Sequence, residues 1–181
     1  VRKAISRNKG LYVGIAAVQS HLEKNPAPLV FKFDLEFGHP GMETLLLSKK
    51  IAPLPNPPGS PWFNGKNERA NKDVQSWFEP FGSDQDWATE ELGKELNFCF
   101  TEVDELWERE EFGGGSRRKA YAELPRASVD RDAFLQDTTA YRRALLMRPD
   151  NRLSPMQAWR VATKDMLKKF GLVRYGDPQE V

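Results

Sequence analysis

The chain has 181 residues, enough for one domain or for a small domain carrying long arms. Apolar residues make up 39% and there are 13 prolines, so a core is within reach while part of the length must run extended. The net charge of +1 argues against bulk nucleic-acid binding, and Cys99, the single cysteine, excludes an internal disulfide and gives no sign of an oxidising compartment.

The charge is unevenly spread. Residues 1–60 carry 8 basic and 4 acidic groups, residues 61–112 carry 5 and 14, and residues 113–181 carry 14 and 8. No apolar run approaches the roughly 20 residues of a membrane-spanning helix. The stretch before Glu23 contains Arg2, Lys3, Ser6, Arg7 and Lys9 and no acid, a pattern shared with organelle transit peptides, and on it a mitochondrial location is expected, with a cytoplasmic one as the alternative.

Residues 11–24 predict a short helix ended at Asn25-Pro26, because a residue before proline is pushed out of helical geometry. From Phe31 the pattern alternates strictly. Phe31, Phe33, Leu35 and Phe37 share one face, and Lys32, Asp34 and Glu36 the other, the period of a half-buried strand. A single strand is not stable in water, so this one needs a partner elsewhere in the chain or in another chain. Gly38-His39-Pro40-Gly41 reads as a turn and 42–51 as a short helix. Pro53, Pro55, Pro57, Pro58 and Pro61 then read as an extended connector leading into Trp62-Phe63.

Residues 66–78 predict a helix, and Ser83 or Asp84 is read as the cap of a long acidic helix running to Phe112. Leu92, Leu96, Cys99, Val103 and Leu106 share a face of it, widened by Phe100 and Trp107. Gly113-Gly114-Gly115-Ser116 breaks the pattern and Arg117-Arg118-Lys119 follows. Helices are predicted from Asp130 to Met147 and from Ser154-Pro155 to Gly171, the latter with Met156, Trp159, Ala162, Met166 and Phe170 on its apolar face.

The fold class this predicts is mainly α: amphipathic helices with at most a small β element at 31–37 and an extended proline-rich connector, not a compact superfold. The segments are a basic N-terminal arm with a short helix and strand (1–52), the connector (53–65), an acidic helical segment (66–112), a glycine-rich joint with a basic linker (113–129) and a basic C-terminal helical segment (130–181).

Chemistry is thinly marked. His21, His39 and Cys99 sit at no metal-site spacing, so no metal or cofactor is expected. Residues 113–119 join glycines to cations but lack the Gly-Lys-Ser/Thr of a phosphate loop, and an acidic helix rather than a strand precedes them. The carboxylates of 84–111 are too many to single out a catalytic pair, and a solvated or cation-facing surface accounts for them together. An enzyme is therefore not expected.

The expected function is a non-catalytic accessory or scaffold subunit of a larger multiprotein assembly, for which a mitochondrial respiratory-chain complex is the first choice. Phe31, Phe33, Phe37, Trp62 and Phe63 are its candidate contact residues. Arg160, Lys164 and Lys168, spaced at i, i+4 and i+8, form a basic stripe that could meet an acidic protein surface. In the alternative reading the same stripe, with Arg117 to Lys119, serves an RNA- or ribosome-associated protein.

Overall fold

A computed structural model describes residues 11–59, 65–82, 88–110, 113–124 and 127–173. Among them the chain is mainly α, with seven α-helices and two small two-stranded sheets. It divides into two compact units, one formed by Val1–Ser60 with Ala127–Val181 and the other by Pro61–Arg126.

The first unit contains α1 (Leu11–Leu22), β1 (Val30–Phe33), α2 (Pro40–Ser48), β2 (Ala52–Pro55), α6 (Arg131–Leu146) and α7 (Pro155–Lys169). The strand expected over 31–37 is shorter. Its ladder ends after Phe33, and Leu35–Phe37 form one 3₁₀ turn. Asp34 disfavours strand geometry, and its carboxylate accepts a hydrogen bond from the Asn56 side chain. The turn swings Phe37 back against α1, where Gly14 allows close approach: a Cβ there would meet the ring at 2.7 Å.

The partner of β1 lies in the stretch read as a connector. Val30↔Ala52, Phe31↔Pro53, Lys32↔Leu54 and Phe33↔Pro55 pair in parallel. The amides of Ala52 and Asn56 donate to the carbonyls of Leu29 and Phe33 at 3.0 and 2.8 Å. The inner edge of β2 therefore belongs to Ala52, Leu54 and Asn56. Pro53 and Pro55, which lack an N–H, occupy the alternate positions that point away, and so cost the ladder no donor. The outer edge is covered by α7, whose buried Thr163 hydroxyl donates to the Pro53 carbonyl at 2.7 Å.

The small sheet is buried on both faces, as parallel strands require. On one side Phe33 joins Met42, Leu46 and Ile51 in a core cluster, with Ile15, Val18, Phe31 and Phe37 packed against it. On the other, Ala52 joins Phe134 and Met166, with Val30, Leu167 and Phe170 packed alongside. Ala158, Trp159 and Ala162 on α7 are fully buried. Asp130 caps α6 through the amides of Asp132 and Ala133, and Ser154 with Gln157 forms a capping box on α7. Arg131 ties the ends together: its guanidinium donates to the carbonyls of Ala27 (2.6 Å), Pro28 (2.7 Å) and Lys50 (3.1 Å).

The second unit contains α3 (Gly65–Phe78), α4 (Thr89–Thr101), β3 (Glu108–Arg109), β4 (Gly115–Ser116) and α5 (Arg117–Glu123). The long acidic helix is thus interrupted. After Thr101 the chain takes a π-turn over Glu102–Leu106, and Trp107 is extended. The expected cap at Ser83 or Asp84 lies outside the described residues. The glycine-rich joint is more ordered than its composition predicts. Gly113 and Gly114, both at positive φ, belong to the loop of the β3–β4 hairpin, and the Ser116 hydroxyl caps α5 through the amide of Lys119.

Candidate interaction surface

The residues singled out by the sequence lie in different places. Phe33 is a core residue, and Phe31 and Phe37 are half-buried against the same cluster. The apolar face of β1 is therefore covered by this chain's own α1 and α2, and of the two sources of a partner expected for the strand, elsewhere in this chain or another chain, it is the former. Trp62 and Phe63 lie outside the described residues. Arg160, Lys164 and Lys168 fall on the side of α7 opposite Ala158, Trp159, Ala162, Thr163 and Met166, because four-residue steps drift by only about 40° each on a helix. Lys168 is exposed, and Arg160 and Lys164 are half-buried. The stripe thus points away from the core of its unit.

The other chemical candidates are occupied structurally. The His39 ring accepts a hydrogen bond from the amide of Gly41 through Nδ1 at 3.1 Å, capping α2. His21 lies within hydrogen-bond distance of the Asn25 side chain at the end of α1. Cys99 is fully buried. Among the described residues no group of three or more His, Cys, Asp or Glu side chains is placed to hold a metal ion. A groove of about 340 Å³ in the first unit is lined by Leu29, Val30, Val129, Arg131, Leu167 and Leu172. The Arg131 guanidinium is committed to its three carbonyls, so this is an apolar depression with no acid–base pair or nucleophile in its lining.

The second unit is built differently. Among its described residues the buried apolar side chains are Cys99 and Val103, while Phe81, Phe98, Leu106, Trp107, Tyr121 and Leu124 are large apolar side chains between 37% and 69% exposed. What fixes its helices is polar. Arg117 meets Asp73 at 2.6 Å and Asp104 at 3.6 Å, Arg118 pairs with Glu105, and the Trp77 indole N–H donates to Glu95 at 2.8 Å. Trp77 packs edge-on against Phe98 with ring centroids 5.6 Å apart.

Phe98 is exposed on α4, Glu102 is half-buried at the start of the π-turn, and Leu106, Trp107 and Glu108 are exposed at its end and just after it. Glu91, Glu102, Glu108 and Glu110 have no ion-pair partner among the described residues, unlike Glu90, which pairs with Lys94. Sequence spacing placed Leu106 and Trp107 on the apolar face of a continuous helix. The π-turn and the exit at Trp107 carry both to the surface. Phe98 went unnoticed, although an aromatic flanked at three- and four-residue steps by Glu95 and Glu102 was the available signal.

No protein-family model, curated protein or solved structure matches the chain.

Proposed function

We propose that the chain is a non-catalytic accessory subunit of a larger protein assembly, and that residues 61–126 are the part completed by other subunits. The observation that carries this reading is the imbalance within that unit: two buried apolar side chains against six large exposed ones among the described residues. Exposed apolar side chains gathered on one unit are the mark of an association surface rather than of a finished domain. The first unit, with its two-sided core, supplies a stable platform.

The sequence of this unit, 9 basic and 15 acidic groups over 61–126, suits register and partner choice set by charge. A mitochondrial setting is the further part of the proposal and rests on the acid-free, arginine-containing pattern before Glu23. The deciding experiment measures the chain's size in native extract by sedimentation, and hydrogen exchange of the purified chain. The expected result is migration with a large assembly, and fast exchange over 65–124 beside strong protection in α6 and α7. A compact monomer in native extract, protected throughout, overturns the reading.

A further inference from the structure

We infer that the surface made by Phe98 on α4 and by Leu106 and Trp107 at the end of the π-turn that follows it receives a lysine- and arginine-rich amphipathic helix of a partner protein. This rests on the assembly reading above and names the chemistry of the partner at one surface.

Three observations define the occupant. The apolar contacts are large and close in the chain. Phe98 stands on α4 and Leu106 ends the π-turn that follows it, both more than half exposed. Phe98 is held in place by the Trp77 ring, and Trp77 by Glu95, so the anchor is preorganised rather than mobile. The rim is acidic and its charge is unspent. Glu91, Glu102, Glu108 and Glu110 carry no cation among the described residues, whereas Asp73, Asp104 and Glu105 are matched by Arg117 and Arg118. An acidic or neutral helix would leave that rim unmatched, and a purely basic strand or coil would leave Phe98 and Leu106 in water. A cationic helix with one apolar stripe satisfies both, in the helix-to-groove mode of recognition.

The test is photochemical cross-linking of the full chain in the cells that make it. Phe98 is replaced by p-benzoylphenylalanine, and a second version carries the same group at Met147, which is exposed on the first unit. Cross-linked segments are identified by mass spectrometry. The expected product joins position 98 to a helical segment of another protein rich in Lys and Arg with apolar residues at i, i+3 or i+4. The Met147 version should not give it. Adding Glu91→Gln, Glu102→Gln, Glu108→Gln and Glu110→Gln should lower its yield at least five-fold with unchanged far-UV circular dichroism. Glu91, Glu108 and Glu110 are exposed and Glu102 is half-buried, and none of the four has an ion-pair partner among the described residues.

A product with an acidic or neutral segment, a product within this chain or with a second copy of it, equal yield from the quadruple variant, or no product at position 98 each overturns the inference. If the chain migrates in a large assembly and position 98 fails in any of these ways, only this inference falls. If the chain migrates alone, the assembly reading falls with it.

Discussion

Thr163 and Pro53 are 110 residues apart in the chain and share a buried hydrogen bond of 2.7 Å, from the threonine hydroxyl to the proline carbonyl. The bond closes the outer edge of β2, where two prolines offer carbonyls and no amides. It makes α7 the third partner of a two-stranded sheet.

Thr163→Val keeps the side-chain shape and removes the donor, leaving the Pro53 carbonyl buried and unpaired. The expected loss in urea unfolding is about 1–3 kcal/mol. Thr163→Ser keeps the donor and gives up one methyl, for about 0.8 kcal/mol. A serine variant as unstable as the valine variant would show that packing, not the hydrogen bond, holds this edge.

Arg131 is a structural clasp. Its planar guanidinium reaches carbonyls from two loops and so joins the segment before β1 to the segment before β2. Arg131→Met should cost about 2 kcal/mol, and Arg131→Lys most of the same, because an ammonium cannot serve three divergent acceptors with one fixed fork. The readout is thermal unfolding followed by near-UV circular dichroism. Full rescue by lysine would mean that charge alone suffices.

The second unit should fail through its ion pairs. The Arg117 and Asp73 side chains are 22% and 15% exposed, so Arg117→Met takes the cation at 2.6 Å away from a largely buried carboxylate, at a cost of about 3 kcal/mol. Among the described residues of this unit Cys99 and Val103 are the buried apolar side chains, which leaves little to absorb that loss. Hydrogen exchange should show α3 and α5 unprotected in this variant while α6 and α7 keep wild-type protection. Uniform loss of protection in both units would contradict this expectation.

The basic stripe of α7 offers the check on RNA association. Each phosphate neutralised contributes about −0.7 to the slope of log affinity against log salt for a single strand. Under the assembly reading, fluorescence anisotropy with a single-stranded RNA at 0.15 M salt should give no saturable binding. The triple variant Arg160→Gln, Lys164→Gln, Lys168→Gln should match the wild type. Saturable binding with a slope near −2 that the triple variant abolishes would transfer the function to RNA.

The helices were readable wherever their ends carry chemistry. Asp130 before α6, Ser154-Pro155 before α7 and Gly171 after it act locally, through hydrogen bonds or φ restrictions a few residues long, so their effect survives any tertiary context. The strand was readable through the alternation of Phe31, Lys32 and Phe33, but its end was not. Leu35 and Phe37 keep the alternation while Asp34, held by Asn56 from across the sheet, turns the backbone.

The partner strand was hidden because prolines argue against a strand unless their missing amides fall on the edge that needs none. That depends on a register no local window contains. The surface of the second unit was misread for a related reason. Periodicity assumes an unbroken helix, and the π-turn at Glu102–Leu106 shifts every later side chain.

Because the first unit is interrupted by the second, its halves are born far apart in time. Val30 and Ala52 leave the ribosome well before Phe134 and Met166, the residues that cover them. During synthesis of the intervening stretch, one side of the nascent sheet has no lid. At about 5–20 residues per second that interval lasts several seconds.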